Sequence, residues 1–124
     1  MIDALIQAAE ARGIAVWWHR GGPKGAWLPE ANAVTIRHGM DDAETISTIA
    51  HELGHAHHGD PAGHLPAFER RADEFAARLI ISPVEYAAAE IQYGPHPAGI
   101  ARELGVTKHL VEIFQTLNLE GITS

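Results

Sequence analysis

The sequence predicts one α+β domain over residues 1–124, with a small, mostly antiparallel sheet of about three strands and four to six helices. Three observations carry this prediction. Residues 14–37 hold three short β-branched or aromatic segments, joined by breaks too short for crossover connections. Residues 41–81 hold two long stretches in which apolar residues repeat at helical spacing. Beyond Ser82, proline and glycine cut the chain into shorter helical pieces, with no repeat or linker among them.

Taken in order, Ile2, Leu5, Ile6 and Ala9 recur at helical spacing and Gly13 stands where a helix would end, which predicts a helix over residues 3–12. Residues 14–19 form the first strand, and Gly21-Gly22-Pro23-Lys24-Gly25 is a turn. Residues 26–28 and 33–37 form two more strands, and alternation in Val34-Thr35-Ile36-Arg37 gives the last one a buried and a wet face. Asp41-Asp42-Ala43-Glu44 has the form of an N-cap with a capping-box carboxylate. Ile46, Ile49, Ala50 and Leu53 then make an apolar stripe that ends at Gly59-Asp60-Pro61. Phe68, Ala72, Phe75 and Leu79 define a helix over residues 66–81, and Ser82-Pro83-Val84-Glu85 starts another over 83–92. After Gly94-Pro95-His96-Pro97, a tail over about 97–120 forms two short helices hinged at Gly105 and packed on the rest.

Composition narrows the function. Formal net charge is −7, which repels phosphate backbones and anionic membranes, so no direct nucleic-acid or membrane partner is expected. No apolar run reaches the roughly 18–20 residues that cross a bilayer, and Met1-Ile2-Asp3-Ala4 does not open a signal peptide. The absence of cysteine removes disulfides, thiolate metal sites and cysteine nucleophiles, and fits a reducing cytoplasm. Of nine histidines, five lie between His51 and His64.

Two of these carry the chemistry. His51 and His55 are four residues apart on a helix, which puts both imidazoles on one face about 6 Å apart along the axis. One zinc ion can then accept a nitrogen from each. Glu52 stands beside such a metal, not on it, and can take a proton from a water there and pass it to a leaving amine. Gly54 costs roughly 1 kcal/mol relative to alanine inside a helix, which predicts a close neighbour at that point. A catalytic zinc wants a third protein ligand. His58 shares the face but lies about 10.5 Å along the axis from His51, too far for one ion. Asp60 and His64 could fold back from beyond the helix end. The leading candidate is Glu69 on the next helix, with Asp73 one turn later to accept the free N–H of a ligating histidine; an exposed Asp73 paired with Arg70 or Arg71 is the plainer alternative.

The segment Ile49-Ala50-His51-Glu52-Leu53-Gly54-His55-Ala56-His57-His58, followed by Glu69-Arg70-Arg71-Ala72-Asp73-Glu74-Phe75-Ala76 and Leu79-Ile80-Ile81-Ser82-Pro83, resembles the ImmA/IrrE family of metallopeptidases. Two blocks in matching order and spacing make the resemblance more specific than the first motif alone. It departs at Ala56-His57, where bulkier apolar residues are usual. The resemblance implies a zincin-like fold, Zn2+ held by His51, His55 and Glu69, and Glu52 as the base. It also implies a cytoplasmic protein, often encoded by phage or mobile elements, whose substrate is a helix-turn-helix repressor.

Other features leave alternatives open. Tyr86, Tyr93 and His96 are candidates for stabilising an oxyanion, and Trp27 or the strand at 33–37 for pairing with substrate backbone. Ala101, Gly105 and Val111 have the spacing of a helix-turn-helix, so residues 97–118 could belong to a DNA-binding regulator. Only Arg102 and Lys108 are basic there, against Glu103, Glu112 and Glu120, which favours packing onto the domain. A non-catalytic module that binds metal or a regulator without cutting it is the other rival.

Overall fold

In a computed structural model, which describes the backbone of residues 1–123 and the side chains of residues 1–119, the chain runs α1 (Ile2–Ala11), β1 (Ala15–His19), β2 (Gly25–Leu28), β3 (Ala33–Arg37), α2 (Asp42–His58), α3 (Pro66–Ile80), α4 (Pro83–Tyr93), α5 (Pro97–Leu104) and α6 (Lys108–Thr123). The α+β class and the order of elements are those expected. The last helix is longer than the sequence suggested, at 16 residues.

The sheet has the order β1-β3-β2. β3 pairs antiparallel with β2 but parallel with β1, so the sheet is mixed, one pairing of each kind. A parallel pair needs a crossover of a dozen or more residues. Here β2 and its two turns supply it, which a reading of each short connection separately cannot reveal. Gly21 and Gly22 both adopt left-handed backbone (φ 67 and 69), carrying β2 past the place beside β1. Two side chains hold that turn: the His19 ring, 2.7 Å from both the Thr35 hydroxyl and the Pro23 carbonyl, and Arg37, which donates to the Gly22 carbonyl at 2.9 Å.

Val34 and Ile36 on the central strand are fully buried, as the alternation predicts, and join Ile49, Ala50 and Leu53 of α2 in one core. Leu5 and Ala9 of α1, Ala76 and Ile80 of α3, and Val106, Leu110 and Phe114 of the tail close the same cluster. At the start of α2, the Asp41 side chain accepts the Glu44 N–H at 2.8 Å. The reciprocal half of a capping box is absent because Glu44 pairs with Lys24 at 3.2 Å instead. At its end Gly59 is left-handed (φ 65), and two hydrogen bonds close the helix: Gly59 N–H to Ala56 at 3.1 Å and Asp60 N–H to His55 at 3.0 Å. This is a Schellman closure, and it folds Asp60 back against the last turn. Among the described residues no helix is long and apolar enough to cross a membrane.

The close neighbour of Gly54 is the backbone of α3. A Cβ at position 54 would lie 2.8 Å from the Ala72 carbonyl oxygen and 2.9 Å from the Ala72 Cα. Backbone cannot swing aside as a side chain can, so the two helices would have to part. Gly54→Ala is therefore expected to destabilise the protein by about 1–3 kcal/mol through overpacking, outweighing the ~1 kcal/mol that alanine gains in helix propensity. Denaturant unfolding measures this; a midpoint equal to or above that of the parent would show that α2 and α3 are free to separate.

Candidate metal centre

α2 presents His51 and His55 one turn apart, their rings 4.9 Å between centroids and nearly perpendicular. α3 brings Glu69 between them: its carboxylate oxygens lie 2.8 Å from His51 Nε2 and 3.1 Å from His55 Nε2. One donor atom from each of the three lies within 4.8 Å of the others, so together they could hold a metal ion.

The donor chemistry fits a divalent cation because the far nitrogen of each imidazole is already tied. His51 Nδ1–H donates to Asp73 Oδ1 at 2.7 Å, and His55 Nδ1–H donates to Asp60 Oδ2 at 2.8 Å. Those bonds orient both rings and aim both Nε2 atoms at Glu69, where a nitrogen that has lost its proton could ligate a metal. Asp60 is 2% exposed, and its other oxygen accepts from Arg71. Its backbone carbonyl accepts the Trp27 indole N–H at 2.9 Å, linking β2 to the same corner. Asp73 uses its second oxygen to accept from His109 Nε2 at 2.8 Å.

Glu52 is buried, and among the described residues its carboxylate has no ion-pair partner. Above it runs β2, where a Cβ on Gly25 would come within 2.6 Å of Thr48 Cγ2 and 3.0 Å of Glu52 Cγ. Only glycine lets the strand pass so close. A cleft of about 450 Å³ opens here, with His51, Glu52 and Glu69 on its floor and Lys24, Thr107 and Leu110 among its walls.

The charges act on one another strongly. Burial, and after it the charge of Glu69, lifts the Glu52 carboxyl above its ordinary value, against the pull of His51 and His55. Burial disfavours the charged form of His51, but the Asp73 hydrogen bond and the charges of Glu52, Asp73 and Glu69 outweigh it and raise its pKa. For Glu69, Asp73 and Asp60 burial is again opposed and overcome. Hydrogen bonds from His64 and His51 act on Glu69, from His51 and His109 on Asp73, and from His55 and Arg71 on Asp60, holding each below the usual carboxylate range.

Of the residues singled out in the sequence, His51, Glu52, His55, Glu69 and Asp73 are brought together. Asp73 bonds to His51 and His109, while Arg71 goes to Asp60. Asp60 lies behind His55 and outside the converging set, and His64 is an exposed neighbour 3.2 Å from Glu69 Oε1. His58 lies off the cluster, edge-on to Phe75. The three oxyanion candidates do not line the cleft. Tyr86 packs on Phe114 in the core and donates to Glu90, Tyr93 donates to Glu103, and His96 lies against Gly94. The strand at 33–37 is central, with both edges paired, so it offers no free backbone; β2, which carries Trp27, is an edge. Sequence reasoning missed Asp60 as the partner of His55, although Gly59 signals the closure that puts it there. It missed His109 as well, and no local signal points to that residue.

Two histidines one helical turn apart, an acidic side chain from the next helix and a buried glutamate beside an edge strand define the zincin-like class of metal-dependent hydrolase centres. The chain belongs to peptidase family M78, the IrrE N-terminal-like domain, whose family model matches residues 9–114. It is thus a member of a metallopeptidase family, with His51, His55 and Glu69 as the group that could hold the metal. No curated protein matches the chain well enough to count as a relative.

Three outcomes follow from this geometry. Protons compete with a metal for His51 Nε2, and the neighbouring carboxylates raise the His51 pKa from its ordinary value against the effect of burial. Lowering the pH through that raised value should therefore weaken the apparent metal affinity, read by equilibrium dialysis and elemental analysis across a pH series. The metal-free protein should behave in the opposite sense. The folded state holds this proton more tightly, so that stabilisation is fully present below pH 6.5 and is lost as pH rises through the raised value. Asp60→Ala should weaken metal binding by about 10–100-fold by freeing the His55 ring; competition with a chromophoric chelator measures it, and parent-like affinity would rule out that function for Asp60.

Proposed function

We propose that residues 1–124 form one metallopeptidase domain, a zinc metalloendopeptidase that cuts a peptide bond in a regulatory protein. The observation that carries this reading is the convergence of His51, His55 and Glu69 beside a buried Glu52. In it the three converging side chains are the zinc ligands, Asp73 orients His51 and Glu52 is the base. A single core shared by all the helices and the sheet supports treating the chain as one domain.

Zinc, when bound, would act as a Lewis acid toward water and the scissile carbonyl. Glu52 takes the proton from the attacking water and delivers it to the amide nitrogen as the C–N bond breaks, serving as base and then as acid. The outer edge of β2 borders a groove lined by Glu52, His55 and residues 61–64, and extended substrate backbone would add there as a further strand. The proposed substrate is a helix-turn-helix repressor in the cytoplasm, on the family resemblance. The α5–α6 unit is turned toward the cleft through Thr107 and Leu110, which weighs against its use as a DNA reader.

Glu52→Gln should keep its zinc and lose about 10²–10⁴-fold in cleavage rate toward casein or purified helix-turn-helix repressors. Undiminished cleavage, or undiminished derepression in cells, would sink the hydrolytic reading in favour of a binding module. Glu69→Ala should lose zinc on purification without added metal; equal metal content would remove Glu69 as a ligand.

A further inference from the structure

The turn between α5 and α6 rests on both helices of the metal centre. Thr107 N–H donates to Ser47 Oγ at 3.1 Å, and Ser47 lies one turn before His51 on α2. His109 Nε2 lies 2.8 Å from Asp73 Oδ2, and Asp73 lies one turn after Glu69 on α3. The His109 side chain is 64% exposed, so its own burial does little to place it. Its polar contact is with the carboxylate whose other oxygen holds His51.

We propose that His109 is a positioning residue for the metal centre: by occupying Asp73 Oδ2 it fixes the carboxylate plane so that Oδ1 stays on His51 Nδ1. The inference rests on reading His51 as a metal ligand. It makes the tail part of the metal site, joined to it by a chain of two hydrogen bonds. Two effects of His109 oppose each other. A donor on Oδ2 draws negative charge away from Oδ1, which weakens its hold on His51. That effect is small for a side chain largely open to solvent, where charge interactions are screened. A carboxylate released from one side can rotate, and loses the geometry of its bond to His51. Orientation therefore dominates, and removing His109 should weaken metal binding.

Zinc affinity of the full chain, measured by competition with a chromophoric chelator, tests this in five proteins: the parent, His109→Ala, His109→Gln, Asp73→Ala and the Asp73→Ala/His109→Ala double variant. His109→Ala should bind zinc about tenfold more weakly. His109→Gln, whose amide N–H can still reach Asp73, should recover most of the loss. With Asp73 already replaced, removing His109 should cost nothing further. Thermal unfolding of each variant confirms that it is folded. An unchanged affinity in His109→Ala, no recovery in His109→Gln, or an equal loss in the Asp73→Ala background would overturn the proposal, the last by showing that His109 only packs the tail. If the parent itself binds no zinc, the metal-ligand reading falls and this inference with it. If the parent binds zinc and His109 is indifferent, this inference alone fails.

Discussion

Side chains from two helices can meet around one ion only if the helices approach closely, and here the approach is set where Gly54 meets the backbone of Ala72. The contact lies inside the constellation it serves. Gly54 is between His51 and His55 in sequence, and Ala72 is between Glu69 and Asp73. A side chain at position 54 would begin 2.8 Å from a carbonyl oxygen, well inside van der Waals contact. The separation needed to relieve it exceeds the about 0.2 Å to which metal–ligand distances are held. The glycine in His-Glu-Leu-Gly-His thus sets the distance between the two groups of proposed ligands, and its unfavourable helix propensity is offset by that.

Given the spacing, the orientation of each imidazole comes from a different kind of element. His51 is oriented by Asp73, one turn from Glu69 on the same helix, so a single helix face supplies both the acidic donor and the residue behind the histidine. His55 is oriented by Asp60, which gets there through the hydrogen-bonding rules of a helix end. Once Gly59 takes left-handed backbone, the next residue must lie against His55, because its N–H bonds to the His55 carbonyl. Arg71 then neutralises a carboxylate that would otherwise be buried with only an imidazole beside it.

These two routes show what the sequence could reveal. Helix boundaries were legible because proline, glycine and capping side chains mark them locally, as at Asp41, Gly59 and Ser82. The grouping of His51, His55, Glu69 and Asp73 was legible because periodicity places residues four apart on one face. The role of Asp60 was legible in principle, but only to a reading that followed the left-handed glycine to its consequence. Strand order was not, since the parallel pairing of β1 with β3 depends on where β2 goes in three dimensions. Nor was His109, which meets Asp73 across 36 positions of sequence. Tyr86 and Tyr93 looked available for catalysis because sequence gives residue type without direction; in the fold they are spent on Glu90 and Glu103.

Glu52 and Gly25 are two adjoining choices that stability alone would disfavour. A buried carboxylate that has no ion-pair partner among the described residues is costly to keep charged, and a glycine opening a strand gives up side-chain packing and backbone order. Each accounts for the other. Gly25 lets β2 pass within contact of the Glu52 side chain, which shields the carboxylate from bulk water and raises its proton affinity. A base that is to take a proton and then return it needs a position between the converging ligand side chains and an open strand edge. A bulkier residue at position 25 would push the strand away, leaving Glu52 better solvated and further from any backbone laid along β2. The fold therefore concentrates its local costs at the place where the proposed reaction would draw on them.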